Sequence, residues 1–199
     1  MCGRYTLFTE QEQQELYNII KEVEKNLNSS GQKLKTGEIY PTNLAPILVR
    51  KNETVTPEAA VWGFPQFQKS GVIINARAET APEKRMFAKP LSETRCVVPA
   101  AGFYEWDKAK TKYLFRFPEN ESLYMAGILN SYQNDRRFVI LTTDANESMQ
   151  AVHNRMPVIL KQHEVEPYLW DYQFALRVLS RIPFRLEKTE ENENGQLHF

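Results

Sequence analysis

Two groups that attack carbonyl carbons meet in the second residue. Methionine before a small side chain is usually trimmed, so the start MCGRY (Met1–Tyr5) is expected to expose Cys2 as the first residue. A terminal cysteine carries an α-amine and a thiol on adjacent carbons. The amine has an ordinary pKa of about 7.7–8.0, so a useful fraction is neutral near pH 7. The thiolate is the stronger nucleophile, and its population follows the local charge. Such a 1,2-aminothiol condenses with an aldehyde through the amine and then closes a thiazolidine through sulfur. The same residue would equally serve as an N-terminal nucleophile in amide hydrolysis. Taken alone, a cysteine after methionine more often has no chemical role.

Other residues could serve it. Glu105 lies in GFYEW (Gly102–Trp106), alternating with aromatic residues in a predicted strand. Aromatic surroundings raise a carboxyl pKa and let it move protons near neutrality. By period alone, the solvent face of a half-buried strand is an equal prospect. His153, in AVHNRMP, stands where a helical turn gives way to a strand. It suits acid–base work, or a helix cap. Asn75 and Arg77, in NARAET, follow the strand VIIN, and an amide there can orient a nucleophile. Arg4, Arg77 and Arg155 each lie within two residues of Cys2, Asn75 or His153. Arginines so placed would clamp phosphates, or simply pair with the chain's acids. Trp62, Phe64 and Met86 can form an apolar wedge against nucleobases, although such residues are more often core. Cys96, in the apolar run RCVVPA, reads as core. His153, His163 and His198 are scattered and neither cysteine has a near partner, so no metal or other cofactor is expected.

These groups need a scaffold. Residues 9–27 form a predicted helix, with Leu16, Ile19, Ile20, Val23 and Leu27 on one face and Thr9 with Glu12 as a capping box. Strands are predicted at 46–50, 58–63, 72–75, 95–99, 102–106, 113–117, 123–129, 137–143 and 157–160. Helices are predicted near 82–89 and 164–180, with a helical turn at 146–152. Many short strands separated by Pro, Gly and Asn indicate an antiparallel, β-rich α+β fold. The helices do not alternate with strands as a doubly wound sheet requires.

A chain of 199 residues suits one domain, and 42% hydrophobic residues supply a core that excludes global disorder. Equal numbers of basic and acidic residues, 25 of each, exclude a strongly basic nucleic-acid wrapper but leave room for a local basic groove. No apolar run approaches the about 20 residues of a membrane span, and the start lacks the apolar segment of a secretory signal. Two cysteines make no disulfide framework. A cytoplasmic monomer without a membrane partner is expected. The domain is expected to end at residue 186. The tail 187–199, with four Glu and one Lys, is expected to be flexible.

Read together, the motifs are specific. MCGRY, YPTNLAP (Tyr40–Pro46), WGF (Trp62–Phe64), NARAET (Asn75–Thr80), RCVVPAAGFYEW (Arg95–Trp106), TTDAN (Thr142–Asn146) and HNRMPVIL (His153–Leu160) follow one another in this order. The chain resembles the SRAP family, the SOS-response-associated peptidase-like proteins that sense abasic DNA. The resemblance covers residues 1–160.

It implies a single compact α+β domain, a distorted antiparallel β-barrel-like core flanked by helices. It implies that Cys2, freed of Met1, forms a thiazolidine crosslink with the ring-opened abasic sugar in single-stranded DNA and shields the lesion. A bacterial member would be nucleoid-associated. Asn75 would position the amine, and Glu105 and His153 would shuttle protons. Arg4, Arg77 and Arg155 would hold phosphates, with Trp62 and Met86 also touching DNA. The basic groove is expected near Cys2, with the acids on the far side. A cysteine-dependent peptidase or amidohydrolase using the same Cys2, and a non-catalytic module that binds a modified base, are the competing readings.

Overall fold

β-Branched and aromatic residues recurring at period two between turn residues produce many short strands. The computed structural model describes residues 2–7, 14–27, 32–67, 70–133 and 135–191. In chain order the elements are β1 (Arg4–Leu7), α1 (Gln14–Leu27), β2 (Gly37–Ile39), β3 (Leu44–Lys51), β4 (Thr54–Trp62), β5 (Phe64–Pro65), β6 (Val72–Ile73), β7 (Asn75–Arg77), α2 (Arg85–Glu93), β8 (Arg95–Ala100), β9 (Gly102–Trp106), β10 (Lys112–Arg116), β11 (Leu123–Tyr132), β12 (Asp135–Asp144), β13 (Arg155–Pro157), β14 (Ile159–Leu160), α3 (Val165–Trp170), α4 (Tyr172–Ser180) and β15 (Glu187–Glu191).

The path β12–β4–β3–β8–β11 returns to β12 and closes a five-stranded barrel. Four of its seams are antiparallel, as expected. The seam between β4 and β12 is parallel, pairing Trp62 with Phe138. The parallel strand β7 continues along β12, pairing Asn75 with Ile140. A second, wholly antiparallel sheet runs β15–β10–β9–β1–β2. Helix α1 buries Leu16, Ile19, Ile20 and Val23, the stripe legible in the sequence, and packs on β3 and β4. The capping box at Thr9 and Glu12 lies outside the described residues.

Three elements differ from expectation. The helix over 164–180 breaks at Asp171, which is extended and accepts a hydrogen bond from the Gln173 amide at 2.7 Å, capping α4. The strand RYTL of β1 is too short to register as a pattern. Residues 187–191, expected in a flexible tail, form β15 along the free edge of β10, with Lys112 Nζ 2.8 Å from Glu191. The rest of the tail lies outside the described residues.

Trp62 closes the barrel from within. It is fully buried, stacks on Phe138 at 6.2 Å between centroids, and meets Tyr5 at 5.2 Å. Its indole Nε1–H donates to the Ile74 carbonyl at 3.0 Å. Gly63 follows with a φ of 112°, where an added Cβ would lie 2.8 Å from Val72 Cβ. That conformation turns the chain out of the barrel into the β5–β6 hairpin. The expected wedge role of Trp62 is therefore corrected: its ring is core and is not presented to a base. Trp62→Ala should destabilise the fold by about 3–5 kcal/mol in urea unfolding. A surface wedge would change stability by less than about 0.5 kcal/mol.

Candidate active site around Cys2

Strand β1 brings the start of the chain onto β9. Arg4 pairs with Tyr104 and Thr6 with Gly102, and continuing that register carries residues 2 and 3 alongside Glu105 and Trp106. Cys2 is fully buried, and its thiol lies 3.8 Å from the Arg4 carbonyl. Glu105 is buried too. Burial pushes the Cys2 thiol far above its ordinary value, and the Glu105 carboxylate adds to the shift. Asn75, at the first position of β7, donates from Nδ2 to the Cys2 carbonyl at 2.9 Å. Its Oδ1 is buried with no hydrogen-bond partner among the described residues. Cys2, Asn75 and Glu105, far apart in sequence, are thus brought together.

The other half of the constellation hangs on β12. Arg77 pairs with Thr142 on one edge, while Pro157 pairs with the same residue on the other. His153 precedes β13 and is half-buried. Its Nδ1 accepts the Arg155 backbone N–H at 2.9 Å, so the neutral ring carries its proton on Nε2.

The three arginines have different surroundings. Arg77 is exposed. Arg4 lies over the rings of Tyr40 and Trp106, at 4.4 and 4.8 Å, with Glu38 at 3.4 Å. Glu38 also accepts from Lys112 at 2.6 Å and from the Tyr40 hydroxyl at 2.7 Å. Arg155 is buried and forks onto Glu79, with both bonds at 2.8 Å, while also reaching Asp144 and the Thr142 carbonyl. Burial alone would raise the Glu79 carboxyl, but the Arg155 bonds hold it below the usual range. The expected separation of acids from the groove is corrected here, because Glu38, Glu79 and Asp144 stand against the arginines.

Met86 is half-buried on α2 and lines a groove of about 650 Å³ with Phe67, Arg85, Lys89, Asn130 and Tyr132. Phe67, 82% exposed, is the aromatic residue presented there. It lies three residues past Phe64, and sequence reasoning passed it over because it belongs to no periodic segment. Glu38, Tyr40 and Glu79 were also missed as partners. Their only signal was their place in or beside the quoted motifs. Among the described residues, no cluster of His, Cys, Asp and Glu is arranged to hold a metal. No described helix is long and apolar enough to cross a membrane.

Comparison with known proteins places this geometry. The chain is 36% identical over 189 residues to "Abasic site processing protein YoqW" of Bacillus subtilis, covering 85% of this chain and 80% of that protein. It is 24% identical over 178 residues to "Abasic site processing protein YedK" of Escherichia coli, covering 85% and 79%. A crystal structure of a Bordetella bronchiseptica protein superposes with a TM-score of 0.73 at 20% identity, over 96% of this chain and 100% of that one. The family profile described as SOS response associated peptidase (SRAP) matches residues 1–190, and the chain belongs to that family.

Proposed function

We propose that this protein processes abasic sites by covalent capture. After loss of Met1, Cys2 would form a thiazolidine with the ring-opened sugar in single-stranded DNA. The observation that carries the reading is the surroundings of residue 2. Asn75 holds its carbonyl and keeps a buried acceptor, Oδ1, with no other bond to make. An α-amine at Cys2 supplies a donor for that acceptor. The named relatives support the substrate class.

The steps balance without a metal. A proton moves from the anomeric hydroxyl to the ring oxygen, opening the sugar to its C1′ aldehyde; His153 and Glu105 shuttle it. The α-amine adds to C1′ and water leaves, giving the imine. Sulfur then bonds to C1′, and the thiol proton ends on nitrogen. The amine leads because the buried thiol rests protonated. Sulfur follows intramolecularly, where effective molarities reach about 10⁵–10⁸ M. Arg4 and Arg77 contact phosphates, and a base rests against Phe67 and Met86 in the groove beside α2.

Intact-mass measurement with a single-stranded oligonucleotide bearing one abasic site tests this reading. The expected result is protein lacking Met1 and a heat-stable adduct that Cys2→Ala abolishes. Loss of Met1 with no adduct would overturn it.

The thiol makes a second prediction. Cys2 alkylation should titrate above an ordinary cysteine, since its folded pKa is raised and thiolate appears only at high pH. Glu105→Gln removes the like charge, so the inflection should move down while burial keeps it above normal. Crosslinking should nonetheless slow by about 10²–10⁴-fold, because the proton carrier is lost. An inflection unchanged by Glu105→Gln would remove Glu105 from the thiol's surroundings.

A further inference from the structure

We infer that Arg155 is a positioning residue for His153 and not a phosphate ligand; this rests on the proposed chemistry at Cys2. The argument begins with donor counting. A guanidinium has four N–H groups on its two terminal nitrogens and one on Nε. Nη1 donates to Glu79 Oε1 at 2.8 Å and Asp144 Oδ1 at 2.6 Å. Nη2 donates to Glu79 Oε2 at 2.8 Å and the Thr142 carbonyl at 2.5 Å. All four terminal donors are used. Nε is buried and without a partner, out of reach of a strand on the surface. A phosphate could bind only by displacing a carboxylate or a carbonyl.

Charge points the same way. One guanidinium faces two carboxylates, so the cluster is formally −1 and repels a phosphate. Arg77, exposed and unpaired among the described residues, is the cation left to attract one.

What the fork holds is the start of β13. That strand has three residues, and its first pair joins Arg155 to Asp144 at the end of β12. A strand so short gains little from its own ladder. The Glu79 fork ties its first residue across β12 to the turn after β7, where Thr143 also bonds Glu79 at 3.1 Å. The backbone N–H of the same Arg155 donates to His153 Nδ1. Locking the guanidinium therefore locks the donor that selects the imidazole tautomer and presents Nε2–H to the site.

The test uses Arg155→Gln and Glu79→Gln in the full chain, with Arg77→Gln as the phosphate control. Affinity for an intact single strand is measured across salt, the first-order crosslinking rate at saturating abasic strand is timed, and the His153 ring ¹⁵N shifts are recorded without DNA. Arg77→Gln should lower the salt slope by about 0.7. Arg155→Gln should leave that slope unchanged, slow crosslinking at least tenfold and mix the His153 tautomers. Glu79→Gln should do the same, and it judges the inference alone if Arg155→Gln fails to fold. A slope loss in Arg155→Gln equal to that of Arg77→Gln would overturn the inference. So would tighter DNA binding by Glu79→Gln at an unaltered rate and tautomer. If the parent protein forms no Cys2-dependent adduct, the proposed chemistry fails instead, and the ¹⁵N shifts still decide whether Arg155 and Glu79 set the His153 tautomer.

Discussion

Strand β12 is shared among four neighbours, and the site depends on how it divides its edges. One edge pairs in parallel with β4 near Phe138 and then with β7 from Ile140 to Thr142. The opposite edge pairs with β11 from Asp135 to Ile140 and then with β13 from Thr142 to Asp144. Backbone groups at membrane-like burial must be paired, so each hand-over has to be made without leaving orphans. At the first, Gly63 N donates to Phe138 O, the chain leaves as the β5–β6 hairpin, and it returns at Ile74. The Ile74 carbonyl then takes both the Ile140 amide and the Trp62 indole. The next residue is Asn75. Trp62 thus acts on the site through the backbone that delivers Asn75 to Cys2.

This explains why some residues were legible and others were not. Cys2, Asn75, Glu105 and His153 stood out because their types have few uses besides chemistry at such positions. The α1 stripe was readable because a 3.6-residue period survives in isolation. Trp62 was not, since period two gives alternation but never says which face is the interior. The parallel seam between β4 and β12 joins residues 76 positions apart in sequence and leaves no local trace. β15 was hidden by composition: EKTEE reads as solvated chain until Lys112 and the open edge of β10 are known. The break at Asp171 is a capping event inside a continuous apolar pattern, visible in retrospect as an N-cap residue.

The balanced charge of the chain also has a local meaning. Its basic residues near Cys2 are largely held by acids already: Arg4 and Lys112 by Glu38, Lys112 again by Glu191, and Arg155 by Glu79 and Asp144. Such pairs at the surface add little stability. They do fix orientation, as the Arg4 guanidinium between Tyr40 and Trp106 illustrates. A polyanion approaching this face meets few free cations, so non-covalent attraction is modest and a lasting complex has to come from another source. A covalent bond at Cys2 would be such a source.

The thiol's burial fits that division of labour. A low-pKa, exposed cysteine reacts with any electrophile and oxidises readily. Cys2 is the reverse, enclosed and pushed toward its protonated form by burial and by Glu105. On the proposed route this is no handicap, because the thiol never has to find its target. The amine selects aldehydes by forming an imine, a step that undamaged DNA cannot offer. Only then does sulfur meet a carbon, two bonds from its own Cα, and the carboxylate that disfavours a resting thiolate becomes the acceptor for the departing proton. The same pair of charges that silences the free thiol would therefore serve the reaction once the imine is in place.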